Sequence, residues 1–393
     1  NGGLAANYSI STGQTTTANI TAKSLTVSGI TASNKTYNGN AVATLNTGSV
    51  AYSGLVDGDT FNGTYTGAFS DKNVGTGKTV TITPSYSGAD VSNYSITNHA
   101  DVTANITAKS LTVSGVTASD KTYDGSVTAT MNSSSAVYSG FVNGDDFAAS
   151  YSGVFSDKNV GSGKTVTITS SYAGADVSNY NITDQTSTTA NISAKALTAT
   201  ASASDKVYDG SSAATSTLTL SGFVGSETVT STNSSTFNNK NAGTGKTVTV
   251  NSITLANGSN GGLAANYSIS TGQTTTANIT AKSLTVSGIS ASNKVYDSTT
   301  NATATLSFSG LIGSETINNT NSSTFDNKNI GTGKTVTVNS LTLVDGSNGG
   351  LASNYSISSG QTTTANVSAR PLTVSNISAS NKSYDGTTAV TLD

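Results

Sequence analysis

Tandem repetition constrains this chain more than any other feature of its sequence. The segment NGGLAANYSISTGQTTTANITAKSLTVSGI occupies residues 1–30 and returns without a change at residues 260–289. Self-similarity at a fixed period is the signature of repeat architectures. Cutting before each Leu-Thr motif gives four repeats of nearly equal length, at 24–109, 110–195, 196–282 and 283–370, between the C-terminal part of a preceding repeat at 1–23 and the N-terminal part of a following one at 371–393. We therefore expect the chain to have been cut from a longer array.

The repeats are of two kinds. The first two end with GADVSNY followed by a strand-like segment, whereas the next two carry SNGGLAANY or SNGGLASNY after a longer connection. The opening fragment matches the second kind, so the array mixes its types along its length.

Apolar residues alternate with polar ones inside each repeat. KTVTITPSY places Val80 and Ile82 on one face with threonines opposite, and SLTVSGI does the same with Leu25 and Val27. A period of two, with Thr, Val, Ile and Tyr between turn dipeptides, is typical of half-buried strands. No segment shows capped helical periodicity. The sequence therefore predicts an all-β fold, a tandem array of small antiparallel domains of about seven strands each. A β-sandwich is the first interpretation, and a β-grasp-like unit remains open.

The joints between repeats carry no flexible linker. Ile106 and Ala108 lead to Leu111 and Val113, and the three-residue step between the two pairs moves the buried side to the opposite face. We expect the last strand of one repeat to pass almost directly into the first strand of the next, which makes the array an extended, stiff rod. The same spacing recurs at Ile20, Ala22, Leu25 and Val27, at Ile192, Ala194, Leu197 and Ala199, at Ile279, Ala281, Leu284 and Val286, and at Val367, Ala369, Leu372 and Val374.

A Tyr-Asp-Gly motif follows the first strand of every repeat. Asp or Asn tolerates left-handed dihedral angles and Gly adopts them freely, so the motif predicts a tight turn with a tyrosine packed beside it. Exposed Tyr and Asp can also hold sugars, and this is the weaker interpretation. The motif residues are Tyr37, Asn38 and Gly39, Tyr123, Asp124 and Gly125, Tyr208, Asp209 and Gly210, Tyr296 and Asp297 with Ser298 in place of glycine, and Tyr384, Asp385 and Gly386.

Charge and cysteine content limit the possible partners and compartment. Charged residues make up 10% of the chain, with 18 basic against 21 acidic, and the lysines are dispersed singly. Nucleic acid is therefore not an expected partner. No run approaches the roughly 20 apolar residues of a membrane-spanning helix. The absence of cysteine and the single methionine suit an oxidising, extracellular location at the cell surface or in the medium.

Catalytic, cofactor and metal sites are not expected. GTGKT at residues 75–79 resembles part of a phosphate-binding loop, but Lys72 stands where the first glycine belongs, and a strand follows instead of a helix. The only histidine, His99, has no counterpart in the other repeats. Asp145 and Asp146 could ligate calcium, but the matching position in the last full repeat reads Ser314-Glu315.

A covalent crosslink is a further hypothesis for a cysteine-free extracellular chain. An isopeptide bond between lysine and asparagine would take one of the lysines before the Tyr-Asp-Gly motif as its nucleophile. The favoured alternative is a lysine stem lying along a strand edge with its ammonium in water. The candidates are Lys35, Lys121, Lys206 and Lys294.

Several ordered motifs together resemble a known repeat. LTVSGVTASDKTYDGS, SGFVNGDDF, GVFSDKNVGSGKTVTI, NYNI and TANISAK look like the YDG-type repeat of large bacterial surface adhesins, including filamentous-haemagglutinin-like and biofilm-matrix exoproteins. The resemblance covers the whole chain. It implies the stalk or scaffold of a secreted adhesin, exported by a dedicated outer-membrane system.

Three functions remain open at this point. The leading one is a non-enzymatic stalk that supports surface attachment or biofilm cohesion through many weak contacts. The second is a self-assembling extracellular filament or sheath, a homo-oligomer held through exposed edge strands. The third is an array that binds matrix polysaccharide. The expected partners are accordingly other copies of the repeat, matrix polysaccharide or cell surfaces.

Overall fold

The computed structural model describes residues 2–393, which form two compact units, Asn1–Ser193 and Ala194–Asp393. The helices of the described residues are short 3-10 turns at Ala5–Asn7, Val91–Asn93, Val177–Asn179, Ala264–Asn266 and Ala352–Asn354. A β-grasp unit needs a longer helix packed on its sheet. The all-β prediction is confirmed, and the absence of such a helix from residues 2–393 favours the sandwich over the β-grasp alternative.

The first unit holds twenty strands, ten in each of its two complete repeats. Those of the first repeat are β1 (Lys23–Ser28), β2 (Thr31–Ala32), β3 (Lys35–Thr36), β4 (Val42–Ala43), β5 (Leu45–Asn46), β6 (Ala51–Ser53), β7 (Asn62–Phe69), β8 (Gly75–Ser87), β9 (Tyr94–Thr97) and β10 (Val102–Thr107). Those of the second repeat are β11 (Lys109–Ser114), β12 (Thr117–Ala118), β13 (Lys121–Thr122), β14 (Thr128–Ala129), β15 (Met131–Asn132), β16 (Val137–Ser139), β17 (Ala148–Phe155), β18 (Gly161–Ala173), β19 (Tyr180–Thr183) and β20 (Ser187–Ser193).

The second unit holds eighteen strands, nine in each repeat. Those of the third repeat are β21 (Lys195–Ala196), β22 (Thr198–Ala203), β23 (Lys206–Val207), β24 (Ala213–Ala214), β25 (Ser216–Ser221), β26 (Val229–Phe237), β27 (Gly243–Asn257), β28 (Tyr267–Ser268) and β29 (Thr274–Thr280). Those of the fourth repeat are β30 (Lys282–Ser283), β31 (Thr285–Ala291), β32 (Lys294–Val295), β33 (Asn301–Ala302), β34 (Ala304–Ser309), β35 (Ile317–Phe325), β36 (Gly331–Asp345), β37 (Tyr355–Ser356) and β38 (Thr362–Ser368).

Every repeat contains the same five-stranded sheet. Its order in the first repeat is β3-β10-β8-β7-β4, and β23-β29-β27-β26-β24 is the equivalent in the third. The long hairpin β7–β8 is antiparallel, but β3 pairs with β10 in parallel, and β1 pairs with β9 in parallel. The expectation of purely antiparallel domains with about seven strands is therefore wrong. The parallel pairs join segments far apart in sequence, which a period of two does not reveal.

The core lies between the five-stranded sheet and the smaller sheets. In the first repeat, Val27 and Ile30 from the small-sheet side pack with Ile82 of the large sheet, and Leu25 packs with Phe61. The alternation predicted from the sequence is present here: Val80 and Ile82 are buried, while Thr79, Thr81 and Thr83 beside them are exposed. The first repeat therefore has a layered, sandwich-like core.

Inside each unit, the last strand of one repeat leads almost directly into the first strand of the next. Ala108 alone separates β10 from β11, and one residue separates β29 from β30. The buried pair before the first of these joints is Ala104 and Ile106, while Ala108 is exposed. The predicted inward position of Ala108 is therefore wrong, because Ala108 lies between the two strands and belongs to neither. The change of face still occurs, because Ile106 and Leu111 are five residues apart and both are buried.

Candidate functional site

Parallel pairing brings the Tyr-Asp-Gly motif to the end of its own repeat. Strand β3 runs beside β10 with Lys35 opposite Ile106, and the Tyr37 backbone N–H donates to Thr107 O at 2.9 Å. Strand β10 leads directly into the next repeat. The motif therefore lies at the joint between repeats, far from the first strand that precedes it in the sequence. The third repeat repeats this arrangement, with the Tyr208 N–H donating to Thr280 O at 2.9 Å.

The second and third residues of the motif form a tight turn. The Asp124 carboxylate accepts the Ser126 backbone N–H at 2.8 Å, and Asp209, Asp297 and Asp385 accept the equivalent N–H two residues on. The following residue has positive φ throughout, because the turn requires the left-handed region. The values are 82° at Gly39, 79° at Gly125, 80° at Gly210, 66° at Ser298 and 79° at Gly386.

The candidate crosslinking lysines are held by this turn. Lys121 Nζ donates to Asp124 Oδ1 and to Ser126 O, each at 2.8 Å, and lies 5.5 Å from the centre of the Phe155 ring. Lys206 and Lys294 make the same contacts with Asp209 and Asp297. The lysines thus stabilise the turn as cations and are not free in water.

Lys35 differs from the other three because its partners are amides. Its Nζ lies 3.0 Å from Asn38 Oδ1 and 3.1 Å from Asn40 Oδ1. Burial lowers its pKa. A crosslink to either asparagine stays a prediction, and among the candidate lysines this is the one with side-chain amides within reach.

The tyrosine of the motif contacts a buried carboxylate of the following repeat. In the first unit, Tyr37 Oη donates to Asp145 Oδ1 at 2.8 Å, and Tyr180 Oη donates to the other oxygen of that carboxylate at 2.5 Å. The two rings meet edge to face, 5.6 Å apart. Tyr37 is 1% exposed and the Asp145 side chain 3%. Residues 108 positions apart in sequence therefore form one buried cluster.

A lysine completes the charge balance at this joint. Lys72 Nζ lies 3.3 Å from Asp145 Oδ1 and 2.8 Å from Asp176 Oδ1, and 5.9 Å from the centre of the Tyr37 ring. A buried carboxylate is stable only when its charge and its lone pairs find partners. Two tyrosine hydroxyls and one ammonium supply them here.

The second unit builds the same joint with one carboxylate. Tyr208 Oη and Tyr355 Oη donate to the two oxygens of Glu315, each at 2.7 Å, and Lys240 Nζ lies 3.0 Å from Glu315 Oε1. Leu351 occupies the position that Asp176 holds in the second repeat. Glu315 therefore accepts both tyrosine hydroxyls, as Asp145 does, and it is the carboxylate with which Lys240 pairs.

An asparagine fixes the lysine-bearing loop to the next repeat. Asn354 Oδ1 accepts the Ala242 backbone N–H at 2.8 Å, and its amide donates to Asn241 Oδ1 at 3.2 Å. Asn179 does the same in the first unit, accepting the Val74 N–H at 2.9 Å. Both asparagines are fully desolvated, at 0% and 1% exposure. Each joint therefore combines the carboxylate cluster with an asparagine that bonds one backbone N–H and one side-chain amide of the loop.

The electrostatics of the cluster follow from burial and hydrogen bonding. Burial acts to raise the pKa of Glu315, but the hydrogen bonds from Tyr355, Tyr208 and Lys240 outweigh it, so that pKa lies below its ordinary value. Burial together with the Glu315 carboxylate raises the pKa of Tyr355 to about 12. The tyrosines are consequently neutral donors and the glutamate an ionised acceptor across the neutral pH range.

The remaining motif tyrosines differ in their burial. Tyr123 is 1% exposed, with Lys158 Nζ 5.9 Å from the centre of its ring. Tyr296 of the fourth repeat is half-buried, and Tyr384, in the partial repeat, is 97% exposed. Burial of Tyr37, Tyr123 and Tyr208 leaves their rings unavailable to a sugar.

Sequence reasoning missed the acceptor side of the joint. Asp145 was considered only as a calcium ligand, Glu315 only as its replacement in the last full repeat, and Lys72 only as a departure from a phosphate-binding loop. The sequence does carry a signal for this site. A lysine and an acid recur in every full repeat, and an Asn-Tyr pair recurs where β9 and its equivalents β19, β28 and β37 begin. Within residues 2–393, no group of three or more His, Cys, Asp or Glu side chains is arranged to hold a metal ion.

The geometry defines a class of protein: tandem β domains in which, within each unit, one repeat docks a buried tyrosine onto the next. A family model described as the YDG domain matches residues 21–104, 107–189, 193–277 and 280–365, so the chain belongs to the YDG domain family. No curated protein matches it. The crystal structure of Drosophila N-cadherin EC1-4 shares 10% identity over 87% of this chain and 99% of that chain, at a TM-score of 0.22 that is too low to inform the fold.

Proposed function

We propose that this chain is a non-enzymatic structural repeat region, the stalk or scaffold of a secreted bacterial adhesin that supports attachment or biofilm cohesion. The observation that carries the proposal is the buried tyrosine–carboxylate–lysine joint, which occurs in both units with the same geometry. Its function in this proposal is mechanical, because within each unit it couples one repeat to the next.

Two features make such a joint resistant to bending. Strand β10 continues into β11 through a single residue, so the backbone has little freedom at the crossing. Tyr37 and Tyr180 belong to one hydrophobic cluster that also includes Ile106 and Leu111, so side chains from both repeats share a core. Bending would separate this core and expose a carboxylate that has lost its donors.

The chemistry of the cluster supports a structural role over a catalytic one. A general acid or nucleophile must reach a substrate, and its pKa must lie near the working pH. Here the acid, the tyrosines and the lysine satisfy one another, and the tyrosine pKa values are raised further away from neutrality. We therefore propose no catalytic residue and no cofactor.

The extracellular location is part of the same proposal. The chain has no cysteine, and the joints depend on hydrogen bonds and ion pairs that do not respond to the redox state of their surroundings. Within the described residues, no helix is long and apolar enough to cross a membrane. The proposed partners are cell surfaces, matrix polysaccharide or further copies of the repeat, contacted along the solvent-facing sheets.

Small-angle X-ray scattering with in-line light scattering, over a range of concentrations, tests the proposal. We expect a monomer whose scattering is that of a long, thin, stiff particle. The double variant Tyr37→Ala and Tyr208→Ala loosens two joints and should therefore give a broader distribution of particle dimensions. The control pair Tyr296→Ala and Tyr384→Ala removes the same side chains where they are less buried. If the wild-type chain already shows a distribution of particle dimensions as broad as that of the double variant, stiffness is refuted as the function. Growth into filaments with concentration would replace the stalk by an assembly subunit.

A further inference from the structure

The glycine of the Tyr-Asp-Gly motif faces the next repeat at very short range. A Cβ placed on Gly39 would lie 2.7 Å from Val142 Cγ1, and one placed on Gly210 would lie 2.7 Å from Ile312 Cγ2. Carbon atoms in contact are normally 3.5 to 4.0 Å apart. Glycine is therefore needed at these two joints for space, in addition to the positive φ that it adopts in the turn.

The facing residue has little room to move. Val142 and Ile312 are β-branched, and branching restricts the first side-chain torsion to few positions. Each belongs to the apolar cluster that surrounds the motif tyrosine of the preceding repeat. A side chain at the glycine position would have to displace this residue or hold the two repeats apart.

The fourth repeat carries a serine at this position. Ser298 keeps the turn intact at φ 66°, and Asp297 still accepts the Thr299 N–H at 2.9 Å and pairs with Lys294 at 2.9 Å. The substitution therefore does not disturb its own repeat. Its consequence falls on whatever docks against Tyr296, because the serine Cβ and Oγ occupy space that Gly39 and Gly210 leave empty.

We propose that the third residue of the motif determines whether a joint closes, and that Ser298 makes the joint after the fourth repeat weaker than those after the first and third. The inference rests on the proposed function, since it concerns the same joint. The joints of the array then differ in stability: joints with glycine at this position stay closed, and the joint with serine opens more readily. The residue acts by steric exclusion and touches no ligand.

Native-state hydrogen exchange on the full chain tests this inference through the Ala242 amide, which is bonded across the joint to Asn354. The variant Gly210→Ser introduces the serine of the fourth repeat into the joint of the third. Exchange at Ala242 should rise at least about tenfold. Exchange at Val250, whose N–H donates to Gln273 O within the third repeat, should not change. The control Ser298→Gly should leave Ala242 exchange unchanged.

A second substitution separates steric exclusion from backbone strain. Ile312→Ala removes the branched side chain that the serine would strike, so adding it to Gly210→Ser should restore most of the protection at Ala242. Unchanged Ala242 exchange in Gly210→Ser, or no restoration by Ile312→Ala, would overturn the inference. If Ala242 already exchanges like a free amide in the wild-type chain, the joint itself is absent in solution and the proposed function fails instead.

Discussion

Removing one hydroxyl from the joint in the second unit gives a direct measure of what the cluster contributes. In Tyr208→Phe the ring remains, still 5.5 Å from Tyr355 and nearly perpendicular to it. The 2.7 Å hydrogen bond to Glu315 Oε1 is lost, together with the contact of the hydroxyl with Lys240. The variant therefore tests the polar part of the joint with the apolar contacts kept.

The magnitude follows from the state of the acceptor. A hydrogen bond to a charged group contributes roughly 1.5–3 kcal/mol. Glu315 keeps two donors, Tyr355 and Lys240, so its desolvation is only partly uncompensated. We expect a loss of about 2 kcal/mol in the free energy of opening the joint, which corresponds to an opening constant larger by about thirtyfold.

Hydrogen exchange in the regime where opening is a rapid pre-equilibrium reports this constant. The Ala242 amide should exchange about thirtyfold faster, and the Val250 amide, inside the third repeat, should exchange at the wild-type rate. The matched control is Tyr296→Phe, the same change in the repeat where the tyrosine is half-buried, and it should leave Ala242 unaltered. A rise of less than about threefold, or an equal rise at Val250, would refute the view that this hydroxyl holds the joint.

Three further predictions concern the same elements. In Lys206→Met the turn loses the ion pair to Asp209 and the contact with Phe237, so the third repeat should be destabilised by about 1–2 kcal/mol in urea unfolding. Lys23→Met, whose lysine is exposed, is the control. Equal destabilisation by the two variants would contradict a role of Lys206 in stabilising the turn. In Glu315→Gln the unfolding midpoint should fall at neutral pH. The difference in unfolding midpoint between this variant and the wild type should decrease as pH falls below 4.5 through the lowered pKa of Glu315. It should decrease again as pH rises from 10 through the Tyr355 pKa of about 12. A difference that does not change with pH would exclude both titrations. Intact-mass measurement should give the full mass of the chain, and a deficit of one ammonia that disappears in Lys35→Arg would establish the isopeptide crosslink instead.

The sequence allowed the local structure of the motif to be predicted, because its cause is local. Asp and Gly adopt the turn through their own dihedral preferences and through a hydrogen bond only two residues long, as between Asp124 and Ser126. The alternation around Val80 and Ile82 likewise follows from the strand period. The buried position of Ala108 was mispredicted because alternation does not show where a strand ends: β10 stops at Thr107, so Ala108 lies outside the strand that buries Ala104 and Ile106.

The sequence by itself determined the repeat, its strand-rich character and the turn chemistry, since each depends on neighbours along the chain. Only the tertiary structure decided what the lysines and acids are for. Lys72 and Asp145 are 73 positions apart, and Tyr208 and Glu315 are 107 apart. Their meeting depends on the parallel pairing of β3 with β10, and of β23 with β29, which carries the motif to the end of the repeat. A buried carboxylate is stable here because a tyrosine and a lysine of the preceding repeat join the tyrosine of its own repeat, and no local pattern encodes that meeting.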